Sequence, residues 1–231
     1  MGAFIAQKRS NGLLKSGETT TRRAVFDMEG VLVDGEYLVE LAREVGKAEE
    51  IYALTEAGIR GEINWEEGLQ RRVDLLQGIS YERAQAATEH LNFMPGAREL
   101  CARLKGQGWM LISITGGFQF MSERAERELG LDRVYSNELL FEAGQLSGVR
   151  LQVTSDKAQV WRAAFGADIH PQVALVDGAN DLSLLELAEL KLAFNAQPLV
   201  WRYADQVIQE KNLAFAWPLI EERFYAPAAA R

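Results

Sequence analysis

Two short apolar runs in this 231-residue chain end in carboxylates, and these are the residues best suited to do chemistry. Residues 23–26 lead into Asp27, and residues 173–176 lead into Asp177 and then Asp181. In an open α/β sheet, ligands bind at the carboxyl ends of the strands, so we expect these carboxylates to share one site. Gathered carboxylates need a cation, and a divalent metal supplies it most simply. The pattern therefore predicts metal-assisted phosphoryl chemistry.

Asp27 is the candidate nucleophile, and Glu29 follows it closely. A carboxylate can attack phosphorus to form an aspartyl-phosphate, which divides one difficult displacement into two easier ones. A carboxyl at position 29 can face the same ligand, protonate a leaving alkoxide and later deprotonate a water. Neither residue alone is enough to predict catalysis, because acids at strand ends are more often turn formers or salt-bridge partners.

Thr115, Gly116 and Lys157 are candidates for binding a phosphoryl group. The first two follow a predicted strand at residues 109–114, where a hydroxyl and an accessible glycine backbone can approach phosphate oxygens. Lys157 lies at the predicted start of a helix, where a cation opposes the helix dipole and so calls for a nearby anion. Both segments also have an explanation without function: the glycines could belong to an ordinary loop, and Lys157 could be a surface lysine.

The most specific segment is Asp177-Gly178-Ala179-Asn180-Asp181. Its tight turn into a helix could aim both carboxylates and the Asn180 amide at one point. A structural turn with a capping aspartate is the alternative.

The elements that must position these residues can be predicted from periodicity and turn signals. Between the first strand and Pro95-Gly96, apolar residues recur at helical spacing, and Asn64 and Ser80 resemble helix starts. After Gly96, strands and helices alternate. The predicted strands are 23–28, 109–114, 172–176 and 191–194, the predicted helices are 97–105, 119–129, 156–165 and 180–189, and a hairpin is predicted within 136–152. The helical spacing before Gly96 rests on Leu38, Leu41 and Val45, and on Leu69, Val73 and Leu76.

This order predicts an α/β fold with a Rossmann-like parallel-sheet core. A small helical bundle, residues 36–93, forms a cap inserted after the first strand and contains no strand of its own. Residues 23–35 and 94–231 form the catalytic core, and residues 1–22 are expected to be a flexible extension.

Composition excludes several classes of function. A net charge of −8 argues against non-specific nucleic-acid binding, which needs a positive surface. No segment is long and apolar enough to span a membrane, and no signal-peptide core is evident, so we expect a cytoplasmic protein that binds no membrane. The single cysteine, Cys101, fits a buried structural thiol. Nothing in the sequence indicates the oligomeric state.

Together the motifs resemble the haloacid dehalogenase superfamily of phosphatases. That family shares the order of an acidic strand end, a threonine at a strand end, a lone lysine and then Asp-Gly-x-Asn-Asp. The resemblance narrows to the phosphoserine phosphatases and covers nearly everything from residue 23 to about residue 195. The matching segments are residues 33–36, 64–73, 115–118 and 177–181.

The resemblance implies a role for each core candidate. Asp27 would be the phosphorylated nucleophile and Glu29 the general acid and base. The phosphoryl group would be bound by Thr115, Gly116, Lys157 and Asn180. The ligands of Mg²⁺ would be Asp27, the backbone carbonyl of Glu29 and Asp177, with Asp181 nearby or acting through a water.

In the cap, the resemblance assigns Glu36 to the substrate amine and Arg72 to its carboxylate. A zwitterionic amino acid needs one acid and one bidentate base, so the pair fits the physics. The implied reaction is the Mg²⁺-dependent hydrolysis of a small phosphorylated amino acid, from O-phosphoserine to serine and phosphate, through an aspartyl-phosphate. Such a reaction belongs to serine biosynthesis.

Glu29 is the main departure from the family, which usually has aspartate there. One extra methylene moves the carboxyl by about 1.5 Å, and misplacement by about 1 Å can cost on the order of a hundredfold in rate. Two alternatives therefore stay open. One is phosphotransfer from phosphoserine to another alcohol such as homoserine, and the other is a phosphatase-like protein that only binds a phospho-ligand.

Overall fold

The fold is built around one short strand, β1 (Arg23–Phe26), which lies in the middle of the sheet. Ala24 and Phe26 pack into the apolar cluster on one face of the sheet, and Val25 packs into the cluster on the other. Burial on both faces is typical of a strand in a parallel sheet. A computed structural model describes residues 21–59 and 62–227. The predicted extension, residues 1–22, lies almost wholly outside them.

The main sheet has seven strands in the order β6-β5-β4-β1-β7-β8-β9. Every neighbouring pair is parallel except β5–β6, which forms the predicted hairpin. The chain runs from β1 to β4 on one side and later to β7 on the other, which creates a crevice at the carboxyl ends of these three strands. The other strands are β2 (Val33–Asp34), β3 (Asn92–Phe93), β4 (Met110–Phe118), β5 (Arg133–Glu142), β6 (Gln145–Arg150), β7 (Val173–Val176), β8 (Leu190–Phe194) and β9 (Gln206–Ile208).

Helices pack around this sheet and fill the segment between β2 and β3. The α-helices are α1 (Tyr37–Arg43), α2 (Ala48–Ile59), α3 (Trp65–Leu75), α4 (Tyr81–Ala86), α5 (Ala97–Gly106), α6 (Gln119–Leu129), α7 (Lys157–Phe165), α8 (Leu182–Leu187), α9 (Pro198–Trp201) and α10 (Ala216–Tyr225). Short 3₁₀ helices occupy Ala87–His90, Ala179–Asp181 and Leu213–Phe215. The α/β class with a mostly parallel sheet is therefore confirmed. No helix in the described part of the chain is long and apolar enough to cross a membrane.

The segment predicted as a cap is helical, and its predicted helix starts are present. Asn64 accepts a hydrogen bond from the Glu67 N–H at 2.9 Å, and Ser80 accepts one from the Arg83 N–H at 3.3 Å. The prediction that residues 36–93 contain no strand is wrong, because β3 pairs antiparallel with β2 and closes the segment at its base. The division of the chain into cap and core domains stays a prediction.

Several boundaries differ from those expected. The first strand, predicted over residues 23–28, ends at Phe26 because the chain turns after Asp27. Strand β4 continues through Thr115 and Gly116 to Phe118, where a loop was expected. The helix predicted at 180–189 begins as a 3₁₀ turn, because the chain must bend sharply after β7. Val45 lies beyond the end of α1 and is 40% exposed, so its place in the helical pattern was wrong.

Aromatic rings join the helical segment to the sheet. Tyr37 packs on Phe118 and Phe120 with ring centroids 6.1 Å and 6.3 Å apart, and Tyr81 packs edge-on against Phe120 and Phe141 at 5.2 Å each. The Tyr37 hydroxyl also donates to the Ala84 carbonyl at 2.7 Å. The helices over the crevice therefore share one apolar core with one face of the sheet.

The return from β3 to the main sheet depends on Gly96, and Gly108 offers a matched control for this. Both have φ in the left-handed region, +78° and +77°, but a Cβ at Gly96 would collide with Asn212 and the backbone of Ala214, whereas none would at Gly108. Gly108→Ala should cost about 1–2 kcal/mol from backbone strain alone. Gly96→Ala should cost on the order of 1–3 kcal/mol more. Urea unfolding measures both, and equal losses would contradict the packing argument.

Candidate active site

A cavity of about 110 Å³ lies at the carboxyl ends of β1, β4 and β7, beneath α2 and α3. One water needs roughly 10–15 Å³ in the same measure, so the cavity has room for a small molecule. The predicted site residues that line it are Asp27, Glu29, Glu36, Arg72, Thr115, Gly116, Asp177 and Asn180. The remaining two, Lys157 and Asp181, are buried next to Asp27. The fold thus brings all the predicted residues to one place.

Three carboxylates form a compact group at the floor of the cavity. Asp27, Asp177 and Asp181 each offer one oxygen, and these oxygens lie within 4.8 Å of one another. Burial, followed by the charge of Asp27, raises the pKa of Asp177 well above its usual range and that of Asp181 to about 7. Packed oxygen donors with excess negative charge fit a hard divalent cation.

The buried ammonium group of Lys157 lies among the three carboxylates and pairs with two of them. Its Nζ donates to Asp27 Oδ1 at 2.8 Å and forms an ion pair with Asp181, and its side chain is only 1% exposed. Burial lowers the pKa of Lys157, but the carboxylates of Asp181 and Asp27 more than offset this and hold the pKa above its usual value. The unfavourable helix position noted in the sequence is therefore balanced by two anions.

Gly30 allows the two acidic strand ends to meet. Its φ is +81°, and a Cβ at this position would overlap the carboxylate of Asp177. The turn after β1 is closed by hydrogen bonds from the Leu32 and Val33 N–H groups to the Met28 carbonyl, both at 2.8 Å. Only glycine combines this backbone conformation with so close an approach.

Thr115 and Gly116 are held by contacts on both sides. The Gly117 N–H donates to Thr115 Oγ1 at 2.9 Å, which leaves the hydroxyl proton free for an anion. The fully buried Asn137 donates to the Gly116 carbonyl at 2.9 Å, while its own carbonyl accepts two backbone N–H groups. The Trp65 ring lies where a Gly116 side chain would be. Both residues are therefore fixed at the cavity wall.

The Glu29 carboxyl is held by contacts outside the three-carboxylate group. Its Oε1 accepts the Tyr37 N–H at 2.9 Å, and its carboxyl lies close to Gly117. Burial raises the pKa of Glu29 to about 7, against the opposing effect of the Tyr37 hydrogen bond. The described carboxylates that could hold a metal ion together do not include Glu29, so a metal contact from its side chain is not supported, and the role of its backbone carbonyl stays a prediction.

Arg72 and Glu36 occupy the helical end of the cavity. Arg72 is 8% exposed, donates through Nε to the Gly68 carbonyl at 3.2 Å and through Nη1 to Thr55 at 3.0 Å, and makes no ion pair within the described part of the chain. Burial, then the charge of Glu29, raises the pKa of Glu36 well above its usual range. A buried guanidinium with unused donors is suited to an anionic ligand.

Among the other residues that line the cavity, the sequence analysis gave no role to Thr55, Trp65, Asn195 and Gln197. Asn195 and Gln197 follow β8, so the rule that ligands bind at the carboxyl ends of strands could have identified them. Thr55 and Trp65 carry no such signal, because nothing in their local pattern separates a helix residue over a cavity from any other.

A family model of haloacid dehalogenase-like hydrolases matches residues 24–186. The chain is 40% identical over 198 residues to a phosphoserine phosphatase of Archaeoglobus fulgidus, covering 83% of this chain and 58% of that protein. It is 32% identical over 202 residues to a phosphoserine phosphatase of Methanocaldococcus jannaschii, covering 85% of this chain and 96% of that protein.

A solved phosphoserine phosphatase with bound substrate has a TM-score of 0.81 to this structure. The two chains are 29% identical, and the match covers 87% of this chain and 99% of the other. A solved phospho-aspartyl intermediate analogue of phosphoserine phosphatase has a TM-score of 0.80 at 30% identity, covering 86% and 98%. The family model matches well over half of the residues, and the chain belongs to the haloacid dehalogenase-like hydrolases.

Proposed function

We propose that this protein hydrolyses O-phosphoserine to serine and phosphate in a Mg²⁺-dependent reaction, through an aspartyl-phosphate on Asp27. The observation that carries the proposal is the distribution of charge in one small cavity. Carboxylates and Lys157 lie at its floor, and Arg72, which is buried and makes no ion pair with any described residue, lies at its other end beside Glu36. The phosphoserine phosphatase relatives and solved structures support the same reaction.

In the first step, an Asp27 oxygen attacks phosphorus while the bond to the serine oxygen breaks. Glu29 gives a proton to the leaving alkoxide, which would otherwise be a poor leaving group. Glu29 is suited to this because it lines the cavity and its Oε1 is held by the Tyr37 N–H. Thr115, Gly116, Lys157 and Asn180 bind the phosphoryl oxygens.

In the second step, Glu29 takes a proton from a water, which attacks the phosphorus of the aspartyl-phosphate. The acyl phosphate bond breaks, and Asp27 is restored. One residue serves as acid and then as base because each step returns it to the protonation state that the next one needs.

Mg²⁺ would be held by Asp27, Asp177 and Asp181. When bound, it supplies positive charge that reduces the repulsion between a carboxylate nucleophile and an anionic phosphate. Three carboxylates with Lys157 as the cation paired to two of them keep excess negative charge, which fits this ion.

The cap end of the cavity selects the substrate. Arg72 has donors left for a carboxylate, and a guanidinium binds one through two parallel hydrogen bonds. Glu36 provides the opposite charge for the ammonium group. A phosphomonoester without these groups fills the phosphate end only.

Asp27→Asn should lower phosphate release from phosphoserine more than about 100-fold, because an amide cannot replace the nucleophile. Asp34→Asn is a matched control, since Asp34 lies on the nearby β2 and pairs with the exposed Lys211. The control should keep its activity, and both variants should retain the circular dichroism of the native protein. Substantial turnover by folded Asp27→Asn would disprove the nucleophile.

The ratio of products separates hydrolysis from transfer. Phosphate and serine should be released in equal amounts whether or not homoserine is added. Phosphate that appears on homoserine instead would establish the transferase alternative, and binding without turnover would establish the binding-protein alternative.

Removal of Mg²⁺ by excess EDTA should abolish activity and lower the melting temperature. Ligand at 100 times its Kd stabilises a folded protein by about 2.7 kcal/mol. A melting series with and without Mg²⁺ measures this directly, and the shift should shrink in Asp177→Asn. Full activity in EDTA would contradict the metal assignment.

Glu29→Gln should slow phosphorylation of Asp27 by phosphoserine much more than by p-nitrophenyl phosphate, whose leaving group needs little protonation. It should also slow breakdown of the aspartyl-phosphate equally for both substrates, because the leaving group has gone by then. Rapid-quench kinetics resolves the two steps. Unchanged rates for both would make Glu29 a turn residue and assign the proton to another group.

A further inference from the structure

We infer that Thr55 is a positioning residue that aims Arg72 at the carboxylate of the substrate and so sets the preference for amino-acid phosphomonoesters. This inference rests on the proposed function, in which Arg72 binds that carboxylate. Thr55 lies on α2 and Arg72 on the neighbouring α3, and both line the cavity.

The Thr55 hydroxyl has a single proton, and that proton is already used. Oγ1 donates to the Ile51 carbonyl of its own helix at 2.9 Å. The oxygen is therefore an acceptor toward everything else, and it accepts from Arg72 Nη1 at 3.0 Å. Because Thr55 is only 5% exposed, this acceptor has a fixed direction.

Two neutral oxygens together orient the guanidinium. Nε donates to the Gly68 carbonyl one turn earlier on α3, and Nη1 donates across to Thr55 on α2. A planar group held at two of its nitrogens cannot rotate freely, and its other N–H groups stay available for a ligand. Both hydrogen-bond partners are neutral, so neither forms an ion pair with the guanidinium, and the nearby acids that act on its charge are Glu36 and Glu29.

A threonine that bonds back to its own helix is common and needs no function. That reading explains the bond to Ile51 but not the second bond from a buried arginine that faces the cavity. Thr88 provides the comparison within the same segment. It is also buried, and its hydroxyl donates to the Gln85 carbonyl at 2.8 Å, yet no described side chain donates to that hydroxyl.

The test measures kcat and KM for phosphoserine and for p-nitrophenyl phosphate in Thr55→Val, which keeps the shape and removes the acceptor. The loss of kcat/KM for phosphoserine should be about tenfold or more, mainly through KM, and should exceed the loss for p-nitrophenyl phosphate at least about fivefold. Thr55→Ser should recover most of the loss because it restores the hydroxyl. Thr88→Val, the matched control, should leave kcat and KM unchanged for both substrates.

A double-mutant cycle with Arg72→Ala adds an independent readout. If Thr55 acts through Arg72, Thr55→Val should cause little further loss of phosphoserine selectivity once Arg72 is absent. Should Thr55→Val fail to fold, Thr55→Cys keeps the volume and offers only a weak acceptor, and the same losses are expected.

The outcomes separate this inference from the proposed function. A wild-type protein that does not turn over phosphoserine would refute the proposed function itself. If the wild-type protein is selective and Arg72→Ala abolishes the selectivity, but Thr55→Val retains it, only the role of Thr55 is wrong. Equal losses on both substrates, or additivity in the cycle, would also overturn that role.

Discussion

The concentration of negative charge at the carboxyl end of β1 is the constraint on which the rest of the site depends. Asp27, Asp177 and Asp181 converge within 4.8 Å, and Lys157 is the buried cation that meets two of them. Removing charges from water is costly unless they are paired and hydrogen-bonded, so the backbone must deliver these groups accurately. The central place of β1, the glycine turn after it and the start of α7 all serve that delivery.

At the opposite end of the cavity, hydrogen bonds hold a buried positive charge instead of buried negative charges. There a buried arginine donates to two neutral oxygens and makes no ion pair with the described residues, while the charges of Glu36 and Glu29 act on it from nearby. Charge is thus separated along the cavity, with excess negative charge at the floor and a positive group under the helices. A molecule that carries a phosphate at one end and a zwitterion at the other would complement both, which is the basis for proposing amino-acid phosphates as substrates.

The order of motifs in the sequence was enough to predict the sheet, the inserted helices and the convergence of the acidic segments, because strand ends meet wherever a parallel sheet forms. It could not show that β4 extends through Gly116, since a Gly-Gly pair usually marks a loop. The contacts of Thr55, Trp65 and Asn137 could not be predicted either, because each joins two different elements whose packing the sequence pattern does not specify. The orientation of the Glu29 carboxyl toward Tyr37 likewise depends on tertiary packing alone.

The position of β1 has a consequence for how the chain acquires its fold. β1 precedes both of its partners, β4 and β7, in the chain, and Asp27 meets Lys157 across 130 residues. The helices between β2 and β3 have mostly local contacts and can form early, whereas the central strand must wait for distant pairings that carry a large entropic cost. A nascent chain that ends before β7 therefore leaves one edge of β1 unpaired. It also lacks Asp177 and Asp181, so it cannot assemble the three-carboxylate group.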